Sequence, residues 1–98
     1  MAKYLVLWEI NLDKMPDDPK ERGEGWAMML EMIKQDIKEG INLDWGCFVG
    51  ETQGYTISES DPVELMKLLQ RFAPFVLFEV RQVLSVDDVM EVARSLSG

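Results

Sequence analysis

Residues 3–12, KYLVLWEINL, place the strongest limit on the fold. In an extended chain, Tyr4, Val6, Trp8, Ile10 and Leu12 fall on one side, and Leu5, Leu7 and Glu9 on the other. Both sides are mainly apolar. A strand of this kind belongs in the middle of a sheet, covered on both faces. The remaining chain must therefore supply flanking strands and a layer over each face.

Two matching helix starts provide part of that layer. Asp18-Pro19-Lys20-Glu21 and Asp61-Pro62-Val63-Glu64 each place a capping carboxylate before a proline suited to the first helical position. Glu three residues after Asp can close a capping box. Gly23 and Gly25 weaken the first start, by about 1 kcal/mol each against alanine, so the first helix is expected from about Glu24. Its apolar stripe is Trp26, Met29, Leu30, Ile33 and Ile37, with Gly40 as a left-handed stop. The methionines at 28, 29 and 32 belong to that stripe and its flank. The second helix buries Leu65, Leu68, Leu69 and Phe72 and ends at Pro74. Ser85-Val86-Asp87-Asp88 opens a third, with Val89, Met90, Ala93 and Leu96 in its stripe.

Between the first two helices lies NLDWGCFVGETQGYTISES, residues 42–60, which reads as a hairpin. Its register depends on the loop count, because directly opposed residues share a face. A five-residue loop, 50–54, places Val49 opposite Tyr55 and Cys47 opposite Ile57. This choice separates large side chains from small ones and is the expected register. A four-residue loop mixes the faces. Residues 75–84, FVLFEVRQVL, form the last strand.

The order β-α-β-β-α-β plus a C-terminal helix predicts one ferredoxin-like α+β domain over residues 1–98, with antiparallel sheet order 4-1-3-2. The helix-covered face is assigned Tyr4, Val6, Trp8, Ile10, Trp45, Cys47, Tyr55, Ile57, Val76, Phe78 and Val80. The second face is assigned Leu5, Leu7, Glu9, Asp44, Gly46, Phe48, Thr56, Ser58, Phe75, Leu77, Glu79 and Arg81. That face is too apolar to stay bare and too polar for a dry core. Self-association around a small enclosed pocket satisfies both conditions, and a third helix folded over the face is the alternative.

The chemistry-bearing residues are sparse. There is no histidine, which removes the commonest general base and metal ligand. No nucleophile-histidine pair, paired-cysteine zinc site or phosphate-binding glycine loop is present. Asp13, Asp17, Asp18 and Glu21 do not have the spacing of an EF-hand. No cofactor or metal is expected. Cys47, the single cysteine, reads as a buried small hydrophobe. The formal charge of −8 argues against nucleic acid and anionic membranes as partners. The short N-terminal apolar run suits neither a signal peptide nor a transmembrane span, so a cytoplasmic location is expected.

The layout resembles the dimeric α+β barrel superfamily, whose ferredoxin-like subunits pack sheet against sheet. Within it, ESDPVELMKLLQRFAPFVLFEVRQVLSVDDV, residues 59–89, is similar to the C-terminal half of a small family of unknown function. The resemblance implies a homodimer. The superfamily's haem-degrading members use a histidine iron ligand, which this chain lacks.

Antiparallel pairing of the first and last strands would set Leu7 near Glu79 and Glu9 near Leu77, with Arg81 one step along. Glu9, Phe48, Thr56, Ser58, Glu79 and Arg81 are therefore the candidate ligand pocket on the second face. The plainer reading is an ion pair and ordinary sheet surface. Three functions follow in order. The first is a homodimeric accessory domain, non-catalytic or binding a small molecule. The second is a cofactor-free isomerase or oxygenase using Glu9 or Glu79 as base. The third is a regulatory ligand-binding domain, disfavoured because residues 13–18 carry no glycine.

Overall fold

The computed structural model describes residues 2–50 and 52–98. Strand β1 (Lys3–Ile10) leads through a 3-10 turn (Leu12–Lys14) to helix α1 (Pro19–Lys38). The hairpin β2 (Asn42–Cys47) and β3 (Gln53–Glu59) follows, then α2 (Pro62–Gln70), β4 (Val76–Val83) and α3 (Val86–Ser97). The four-stranded sheet has the order β2-β3-β1-β4, which from the opposite edge reads 4-1-3-2. All neighbouring strands are antiparallel. The two-sided apolar strand β1 is one of the two central strands. Among the described residues, no helix is long and apolar enough to cross a membrane.

The helix ends follow from local chemistry. Asp18 accepts a hydrogen bond from the Glu21 N–H, and Asp61 accepts from the N–H groups of Val63 and Glu64. Helix α1 begins at Pro19 rather than near Glu24. Its first turn is held by the Arg22 N–H donating to the Asp18 carbonyl and by the Arg22 guanidinium donating to the Asp17 carbonyl. These contacts outweigh the two glycines. At the other end, Gly40 has φ +78°. Its N–H donates to the Ile37 carbonyl, and the Ile41 N–H to that of Asp36, forming a Schellman stop. In α3, Ser85 and Asp88 form a reciprocal capping box.

The hairpin register differs from the sequence expectation. Cys47 opposes Gly54, not Ile57, and Phe48 donates its N–H to the Gln53 carbonyl. The strands therefore part beyond the Phe48–Gln53 contact, where Val49 sits fully exposed. A bulge between Asn42 and Asp44 resets the pairing further along. Tyr55 and Ile57 consequently lie on the second face, while Thr56 and Ser58 lie on the helix-covered one.

The reason is visible at Gly54, opposite Trp8 on β1. A Cβ at Gly54 would run into the Gly46 carbonyl oxygen and the Trp8 indole. With hydrogen there instead, the indole crosses β3. It stacks on Trp45 with centroids 5.3 Å apart and planes 8° from parallel. Its Nε1–H donates to the Tyr55 carbonyl. Only a register that turns Gly54 inward allows this arrangement.

Helices α1 and α2 lie on the Trp8 side of the sheet. The buried core is small: Tyr4, Val6 and Leu65, with Phe72 beside the edge of Phe78. Cys47, expected to be buried, is exposed. Helix α3 does not cover the second face. No residue of α3 is buried, and it extends a domain whose radius of gyration, 16.4 Å, exceeds the value of about 13 Å expected of a compact chain this long.

These packing relations set two stability changes of opposite sign. Gly54→Ala forces backbone or indole to move and should destabilise the fold by about 1–3 kcal/mol. Gly23→Ala meets open space within α1 and should add about 1 kcal/mol. Urea denaturation measures both. Near-ultraviolet circular dichroism should show loss of the stacked-indole signal in the first variant alone.

Candidate functional site

On the second face, rows across the sheet bring the sequence candidates together. One row runs Asp44, Ile57, Leu5, Arg81, and the next Gly46, Tyr55, Leu7, Glu79. A third brings Gln53 and Leu77 to either side of Glu9, with Phe48 beyond Gln53. Leu7 thus opposes Glu79, and Glu9 opposes Leu77, the juxtaposition read from the pattern. Leu7, Glu9, Phe48, Gln53, Leu77 and Glu79 line a hollow of about 290 Å³.

The charges on this face, in and beside the hollow, are arranged simply. Arg81 Nη2 donates to Glu79 Oε1 at 2.8 Å, and both side chains are more than half exposed. Such a pair contributes at most about 1 kcal/mol while it faces water. Next to it, the Tyr55 hydroxyl donates to Asp44 Oδ2 at 2.7 Å, and the Tyr55 ring lies 6.4 Å from that of Phe48. The hydrogen bond to Asp44, with lesser contributions from desolvation and the carboxylate charge, raises the Tyr55 phenol above its ordinary value of 10.0.

Thr56 and Ser58 belong to the other face. Both are buried. Thr56 Oγ1 donates to the Asp44 carbonyl at 2.9 Å, and Ser58 Oγ to Asn42 Oδ1 at 2.8 Å. Four of the six candidates, Glu9, Phe48, Glu79 and Arg81, therefore share a face, and two do not.

The helix-covered side holds a second hollow, of about 350 Å³, between the sheet and the apolar stripe of α1. Trp8, Trp26 and Trp45 all line it. At its rim, Arg71 clasps Asp36 through both terminal guanidinium nitrogens. Asp36 is buried, and the guanidinium also stacks over the Phe72 ring at 5.2 Å. Sequence reasoning missed this pair. The available signal was the position of Asp36, seven residues after Met29 and three after Ile33, which puts a charge on the edge of an apolar stripe.

Among the described residues, no group of three or more His, Cys, Asp or Glu side chains comes together as a metal site. A family model described as a domain of unknown function (DUF3303) matches residues 2–97. The chain belongs to this family. No curated protein matches it. The DUF3303 match spans both sheet faces, all three helices and both hollows.

For this DUF3303 chain, the Tyr55–Asp44 contact makes a pH prediction. The folded state favours the neutral phenol. Its contribution to stability is therefore complete below the unfolded value near 10.0 and is lost as pH rises through the higher folded value. In a Tyr4→Phe background, phenolate absorbance should report Tyr55 ionising above 10.0, and Asp44→Ala should lower that midpoint. An unchanged midpoint would remove Asp44 as the cause.

Proposed function

We propose that the chain works as a homodimer of the dimeric α+β barrel kind, a non-catalytic binding or accessory domain that holds a small molecule between its two sheets. The observation that carries this reading is the uncovered second face. Leu5, Leu7, Tyr55 and Ile57 form its centre, and Phe48 and Leu77 stand at its margin, 42% and 52% exposed. A contiguous apolar surface on a sheet needs a second layer. Neither α1, α2 nor α3 supplies it.

A second copy supplies the same surface in a two-fold arrangement. Closure would enclose Glu9, Glu79 and Arg81, so polar groups would remain inside an otherwise apolar interface. Such groups need water or a polar ligand to satisfy them. A ligand anchored by a carboxylate or by the Arg81 guanidinium fits that chemistry.

Light scattering at low micromolar concentration tests the assembly. The expected native mass is twice the 11.3 kDa of one chain. Leu77→Glu changes a side chain exposed in the single subunit and should yield a folded monomer. A wild-type chain that stays monomeric across the concentration range would overturn the proposal. With a dimer in hand, Glu79→Gln should weaken capture of a polar ligand without altering the mass.

A further inference from the structure

We propose that the hollow between α1 and the inner sheet face is a separate binding site, for a flat, uncharged aromatic molecule. Nothing in this proposal requires the dimer. Strand β3 turns Gly54, Thr56 and Ser58 toward the helices, where a sheet of this kind would ordinarily present large apolar residues. The floor is therefore low, and α1 spans above it without filling the space. Trp26 and Leu30, on the stripe that should be its buried side, remain 38% and 41% exposed.

The resulting volume, about 350 Å³, lies within the range of about 300–1,000 Å³ typical of small-molecule pockets. Its walls define the ligand class. All three tryptophans of the chain face it, and Trp8 and Trp45 already lie parallel, so a flat ring finds indole surfaces to stack against. The charged groups at its rim, Asp36 and Arg71, are committed to each other, and the Arg71 Nε–H is used by the Leu68 carbonyl. No unpaired charge is left to compensate an ionic ligand, and burying one here would be unfavourable. One donor belongs to a lining residue, Asn42. The Ser58 hydroxyl occupies the Asn42 side-chain carbonyl, which leaves the amide nitrogen of Asn42 to donate to a ligand oxygen or ring nitrogen.

The tryptophans make the test direct. N-phenylnaphthylamine, an uncharged aromatic dye, is titrated into the full chain, with its sulfonated analogue anilinonaphthalene sulfonate as the charged comparison. The expected result is saturable uptake of one neutral dye per chain, with quenching of tryptophan emission, and at least roughly tenfold weaker binding of the sulfonate. Leu30→Trp from the helix side and Thr52→Trp from the loop side each narrow the hollow, and either should reduce neutral-dye binding by about tenfold, followed by dye emission. Leu77→Glu, on the opposite face, should leave it unchanged. Equal binding of the two dyes, absence of saturation, or binding lost in Leu77→Glu but kept in the narrowed variants would overturn the proposal. The last outcome would place the dye on the second face and so speak for that site instead.

Discussion

The register of β3 against its neighbours decides what each face of this sheet can be. Three of its residues, Gly54, Thr56 and Ser58, oppose Trp8, Val6 and Tyr4. They are small, and two carry hydroxyls that bond to the backbone or side chain of β2. Tyr55 and Ile57 are therefore sent outward. A slip of one residue would exchange the two sets, because side chains alternate strictly along a strand. It would bury Tyr55 against the helices, fill the inner hollow and strip the outer face of its apolar centre. The Trp8 indole lying over Gly54 blocks that slip, since no other β3 residue leaves room for it.

This register also explains why the helices sit as they do. With a low floor under α1, the tightly packed centre shrinks to the side where α2 rests, around Tyr4, Val6 and Leu65. Helix α1 is held instead at its ends. The Asp18 cap fixes its start, the Gly40 turn returns the chain to β2, and Asp36 ties its last turns to Arg71 just beyond α2. An ion pair with one partner buried is usually a poor source of net stability, because desolvation offsets much of the attraction. Its contribution here is geometric: a bidentate guanidinium fixes the angle between two helices that have little apolar contact to set it.

Much of the fold was legible in the sequence because the signals were local or redundant. Helix starts are written in Asp-Pro pairs, and Gly40 marks a stop that only a left-handed residue satisfies well. The pairing of β1 with β4 followed from two long strands whose apolar content left little choice, so the opposition of Leu7 to Glu79 could be read directly. The hairpin was different. Segregating large from small side chains is a sound preference when a sheet face meets a full core. It failed because the inner face of β3 does not meet one. The information that decides the register lies in a contact between residues 8 and 54, and no window along the chain contains both. Asp36 and Arg71 are 35 residues apart and were missed for the same reason.

The two faces can be compared by how each treats its polar groups. Inside, every charge and most hydroxyls already have a partner, so the hollow gains most from apolar contact. The exception is Ser60, whose buried hydroxyl has no partner among the described residues, and it lies outside the lining. Outside, Glu9 and the Glu79–Arg81 pair stand among leucines and aromatic rings, and they are tolerable only while water reaches them. Covering that face therefore converts a weak surface ion pair into a strongly felt one, because the same charges interact in a lower effective dielectric. In the proposed dimer the apolar residues would supply the drive to close, and the charged ones would set what must be admitted on closing. A fully dry interface would strand Glu9, whereas a hydrated or ligand-filled one would not. The chemistry of the outer face would thus depend on the proposed assembly, whereas the inner hollow is lined by a single chain.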